Sequence, residues 1–151
     1  MRVMLTTFSL LLLAGGIACA QGKEGLPPGS RSLSQTVRML EQRQIRPISV
    51  ALNGRQWRVE GTDGKESVQL EVDPRTGKIL SREKIPDLDP VEGSLPLSRI
   101  IRELEKANPG PIIRVRYRKK RWVIETRSGK TTTEIQLSAD SGELLMGRDE
   151  K

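Results

Sequence analysis

The chain has 151 residues, enough for one ordinary domain or two very small ones, and its 26 basic residues exceed its 19 acidic ones for a net charge of +7. It contains no histidine and a single cysteine, Cys19, which removes the commonest general base and transition-metal ligand and any internal disulfide. Charged residues are interleaved with apolar ones, unlike a disordered chain. Aromatics are scarce, so a core must come from Val, Ile and Leu with Trp57 and Trp122 as large anchors.

In chain order, residues 1–20 read as a signal peptide. Arg2 supplies the n-region charge, Leu5 to Ile17 an apolar stretch, and Ala18-Cys19-Ala20 small residues at a cleavage site. The stretch is too short to favour a membrane span, and cleavage near Ala20 places the mature chain in the periplasm or outside the cell with no transmembrane segment. The alternative is a lipoprotein anchored through Cys19, since Gly16-Ile17-Ala18-Cys19 partly resembles a lipobox. Loss of Arg2 takes the 26 basic residues to 25 against 19 acidic ones, a net +6 that attracts polyanions or acidic proteins.

Residues 21–31, rich in Gly, Pro and small residues, form a flexible lead-in. Ser32 and Gln35 have capping-box spacing, and Leu33, Val37 and Leu40 follow at helical spacing until Pro47 rules out continuation. Ile48, Val50 and Leu52 alternate as a strand, Asn53-Gly54 turns, and Trp57, Val59 and Gly61 return. Asp63-Gly64 turns again into Val68, Leu70 and Val72, and Asp73 to Gly77 turns into a fourth strand opening with Ile79 and Leu80. The unit is a helix followed by an antiparallel meander.

A linker at 85–93 carries Pro86, Pro90 and three acids, and the pattern then recurs. Ser94 or Ser98 is the expected helix cap, Leu97, Ile101 and Leu104 the apolar stripe, and Ile113, Val115 and Tyr117 the next alternation. Trp57 to Leu80 aligns with Trp122 to Leu145 without a gap. The expected fold is α+β: two repeats, at 32–84 and 94–147, each an N-terminal helix packed on an antiparallel β-meander. A unit this small is insecure alone without disulfides or metal, so the two are expected to form one compact body.

These residues resemble a PepSY domain, most clearly at 72–80, Val-Asp-Pro-Arg-Thr-Gly-Lys-Ile-Leu, which follows the family's V-D-x-x-T-G-x-I/V-L ending. At 137–145 Ser138 replaces the Asp and Ser141 the Thr. PepSY domains occur in propeptides of thermolysin-like metallopeptidases and in many secreted or membrane-anchored bacterial proteins. The resemblance implies a non-enzymatic module that binds and modulates another protein, a protease or an envelope sensor. A similar tandem arrangement of helices against an antiparallel sheet is known in β-lactamase-inhibitory proteins, a likeness of fold rather than of function.

No catalytic, cofactor or metal residues stand out: with no histidine, nothing activates the Ser and Thr hydroxyls. Asp73, at the head of a proline-containing turn, is expected to bond backbone amides rather than act as an acid or calcium ligand. Trp57 and Trp122 fall in phase with the apolar strand positions and read as core anchors. The candidate partner-binding residues are Arg114, Arg116, Arg118, Lys119, Lys120 and Arg121. Alternation puts the first three on one sheet face about 7 Å apart, and this hairpin is where the two units differ most. The expected partner is an acidic protein, and the alternative is an anionic envelope polymer or lipid head group, both suited to arginine's planar fork. Nucleic acid is disfavoured, because only Tyr117 offers stacking beside the patch.

Overall fold

The Ser32 hydroxyl accepts from the Gln35 amide while the Gln35 side chain accepts from the Ser32 amide, and this closed capping box starts helix α1 (Leu33–Gln42). Leu33, Val37 and Leu40 bury one face of the helix as their spacing predicts. Gln44, at φ 65°, then turns the chain into β1 (Arg46–Asn53). The molecule, a computed structural model, describes residues 25–93 and 95–150, with 146–150 described by backbone alone. The expected signal segment, Cys19, the first part of the lead-in and Ser94 lie outside the described residues.

After β1 come β2 (Gln56–Thr62), β3 (Ser67–Val72) and β4 (Ile79–Ile85), then α2 (Leu97–Lys106), β5 (Ile112–Arg118), β6 (Arg121–Ser128), β7 (Thr131–Ser138) and β8 (Leu144–Glu150). The class is α+β, with two helices and one eight-stranded antiparallel sheet in the order β4-β3-β2-β1-β5-β6-β7-β8. The strand order is a palindrome about the β1–β5 junction. There Val50 pairs with Val115, Ser49 with Arg116 and Ala51 with Arg114.

The two helices pack on each other and on one face of the sheet, closing a core that contains both tryptophans and the apolar strand positions. Each helix supplies a carboxylate to the other's first turn. Glu105 of α2 accepts from the Ser34 amide at 3.2 Å and from its hydroxyl, while Glu41 of α1 accepts from the Ser98 amide at 3.1 Å and from its hydroxyl. A carboxylate on first-turn amides satisfies an orphan donor and meets the positive end of the helix dipole. Ser98 is therefore not the cap of α2. That helix starts one residue earlier, its N-cap is Pro96 with no side-chain bond, and Ser98 instead turns to Glu41.

Two further expectations are corrected. The first hairpin turns at Gly54-Arg55, not Asn53-Gly54, because Asn53 still pairs with Gln56. Strict alternation also fails at Ile48 and Ile113, where each strand carries a bulge. Pro47 and Ile112 are the buried residues there, and Ile48 and Ile113 are the extra ones that re-aim the strand.

The corner before β4 shows why Asp73 is structural. Its carboxylate accepts from the amides of Arg75 at 2.7 Å and Thr76 at 3.3 Å, and the Thr76 hydroxyl accepts from the Lys78 amide at 3.2 Å. Before β8 the Ser138 hydroxyl accepts from Asp140 and Ser141, both at 3.3 Å, and the Ser141 hydroxyl from Glu143 at 3.3 Å. Gly77 and Gly142 occupy the left-handed position at φ 71° and 73°. The departures from the motif at 138 and 141 thus keep the same bonds with shorter side chains.

Candidate functional site

With the helices on one face, the other face of the sheet is open to solvent. In β5 the sequence Ile112-Ile113-Arg114-Val115-Arg116-Tyr117-Arg118 buries Val115 toward the helices and exposes Arg114, Arg116 and Arg118 on the open side. Glu125, in the neighbouring strand β6, lies 3.6 Å from Arg114 and 3.2 Å from Arg116, one carboxylate shared by two guanidinium groups. Toward β1 the arginines face only Ser49 and Ala51.

The hairpin tip is strained. Lys119 and Lys120 both lie in the left-handed region, at φ 49° and 61°, where a residue with a Cβ is disfavoured by about 1–2 kcal/mol. Arg118 and Arg121 sit directly opposite each other across the hairpin, a like-charge pair that weakens the ladder. The corresponding positions of the β1–β2 hairpin hold the neutral pair Asn53 and Gln56, with Gly54 at φ 63°.

The six cations are not one uniform patch. Arg114, Arg116 and Arg118 form a row on the open face. Arg121 donates to the Gln136 side chain at 3.4 Å. Lys120 turns toward the inter-half segment, with Glu92 at 3.5 Å. Both ends of that last pair are well exposed, so it contributes at most about 1 kcal/mol. Among the described residues Arg118 and Lys119 have no ion-pair partner.

Sequence reasoning missed the segment that borders the tip. The Tyr117 hydroxyl donates to the Glu92 carbonyl at 2.7 Å and accepts from the Glu92 amide at 2.9 Å. Leu88, Asp89 and Pro90 line an open cavity of about 740 Å³ together with Ile48, Tyr117 and the three cations Arg118, Lys119 and Lys120. The run of acids at 87, 89 and 92 was the available signal, although nothing in the sequence placed it against the basic hairpin.

Trp57 and Trp122 are buried in the core as anchors, and Tyr117 meets Trp122 edge-on with centroids 5.3 Å apart. Among the described residues no group of three or more His, Cys, Asp or Glu is placed to hold a metal ion. No described helix is long and apolar enough to cross a membrane.

Residues 40–83 match the PepSY family model, described as the peptidase propeptide and YPEB domain. A solved structure from Clostridium difficile 630, of a protein provisionally named a lipoprotein, aligns at 14% identity over 78% of this chain and 90% of that one. The TM-score of that alignment is 0.43. A comparison with curated proteins finds no match.

Proposed function

We propose, from the premise that residues 40–83 are a PepSY domain, that the chain is an exported, non-catalytic pair of PepSY-like repeats that binds and modulates another protein. In this reading 32–84 and 94–147 are the repeats and 85–93 their linker. The mature chain begins near residue 21 in the periplasm or outside the cell, with lipidation at Cys19 as the alternative. The family supports a non-catalytic role outside the cytoplasm. The duplication is supported by the hydrogen bonds shared by the Asp73 and Ser138 corners and by the matched registers of Trp57 with Val72 and Trp122 with Leu137.

One observation carries the binding reading. The two halves keep common corners and anchors but diverge at Arg118-Lys119-Lys120-Arg121, where the second half accepts two lysines at positive φ and two arginines face to face. A local conflict of this kind is expected where a surface serves a partner.

The test is affinity capture from the envelope fraction of the producing cell, at low and high salt, with the wild-type chain and an Arg116→Glu/Arg118→Glu/Lys120→Glu variant. The reading expects one defined protein, held by the wild type at high salt and lost by the variant. Recovery of anionic polymer or lipid alone, released by salt, would instead support the alternative of an envelope-surface binder.

A further inference from the structure

We propose that the row Arg114, Arg116 and Arg118 is a track for an extended acidic segment of the partner protein, one with carboxylates at alternate positions. The proposal rests on the reading of the basic hairpin as a docking surface and specifies what docks there. Its first support is periodicity. Three arginines on alternate residues of one strand stand about 7 Å apart, the spacing at which an extended chain presents every second side chain on one face.

The second support is the space beside the row. The register sets Ser49 against Arg116 and Ala51 against Arg114, and neither short side chain can reach a guanidinium group. The next strand on that side, β2, lies two strand spacings from β5, about 10 Å away. On the open face the row is therefore bordered by the small side chains of β1, with Arg58 and Glu60 of β2 standing beyond them.

The third support is the state of the cations. Glu125 touches both Arg114 and Arg116 from the far side, and its side chain is only 17% exposed against 48% and 47% for the arginines. It fixes the two guanidinium groups while leaving most of their N–H donors facing solvent. Arg118 faces Arg121 instead of an acid, so a carboxylate at that end relieves a repulsion as well as forming a bond.

The acidic stretch that carries Asp89 and Glu92 lies on the other side of β5, against Tyr117 and Lys120, and leaves Arg114 and Arg116 exposed. The equivalent row in the first half, Ser49, Ala51 and Asn53, has no charge, so the track belongs to one half only.

The test uses the full mature chain and three labelled peptides of equal length and charge, with glutamates at every second residue, at every fourth residue, or contiguous. Fluorescence anisotropy is expected to show the alternating peptide binding about tenfold more tightly than the other two, the worth of one charge-assisted contact. Arg116→Glu should abolish that advantage. Because it also sets a like charge beside Glu125, Arg116→Gln is the companion variant, and it should abolish the advantage with the fold intact by circular dichroism. Lys65→Glu, the same charge change on an exposed loop of the first half, should preserve it. Equal, salt-sensitive binding of all three peptides would overturn the track while leaving a basic docking surface. Binding of none of them, with retention on phosphatidylglycerol vesicles, would overturn the track and the protein-docking reading together.

Discussion

At the corner that leads into its fourth strand each half binds the same backbone amides, one with Asp73 and Thr76, the other with Ser138 and Ser141. At the hairpin between its first two strands the halves part: Asn53-Gly54-Arg55-Gln56 in one, Arg118-Lys119-Lys120-Arg121 in the other. The corner sets the course of a strand, and any short oxygen that accepts two amides will serve. The hairpin tip directs no strand, although Lys120 meets Glu92 and the Ala139 amide, and in the proposed reading its side chains answer to a partner even at the expense of turn geometry. Equivalence in the frame and divergence at the tip can each be tested.

The largest expected effect probes the frame. Trp57→Ala and Trp122→Ala each remove a fully buried anchor, and each should cost about 3–5 kcal/mol in urea denaturation. Similar losses would sharpen the equivalence of the halves; a large loss on one side alone would break it. Next comes the helix exchange. Glu41→Ala leaves the first turn of α2 with only Pro96 before it, whereas Glu105→Ala leaves α1 its own Ser32–Gln35 box. The first variant should lose about 1–3 kcal/mol and the second visibly less.

A smaller effect is expected at the tip. Lys119→Gly removes one left-handed residue with a Cβ and should raise stability by about 1 kcal/mol, while weakening partner binding. The smallest concerns pH. The amides of Glu66 and Lys65, and then Arg82, hold the Asp63 carboxyl down at about 2 from an ordinary 3.8. A depressed folded value means that this contribution is complete above the ordinary value and is lost as pH falls through about 2. Ser128 stands at the corresponding turn and has no charge to titrate. Acid titration by NMR should therefore move the amides of Lys65 and Glu66 but not those of Lys130 and Thr131.

Short-range features were legible in the sequence. The Ser32–Gln35 box, the Leu33-Val37-Leu40 stripe, the two tryptophans and the Asp73 turn all follow from spacing over a few residues. What escaped depends on partners far along the chain. Ser98 has the local grammar of a cap, but a carboxylate 57 positions earlier takes both its amide and its hydroxyl. The bulges escaped because Ile112 and Ile113 are both apolar, and alternation cannot say which one is surplus. At the candidate site the run of cations was plain. Glu125 between two of them and Glu92 beside a third were not, since cross-strand and linker contacts have no fixed offset in sequence.

The exchange of glutamates between the helices also gives folding a direction. Helix α1 closes its own N-terminus with residues three apart, so it has what it needs as soon as those residues are together. Helix α2 must wait for Glu41, and β5 must wait for β1 to offer the edge on which Val115 registers against Val50. The first half can thus act as the template on which the second is laid down. In a pulse-labelled refolding experiment, amides of α1 and β1–β3 should gain protection before those of α2 and β5–β7.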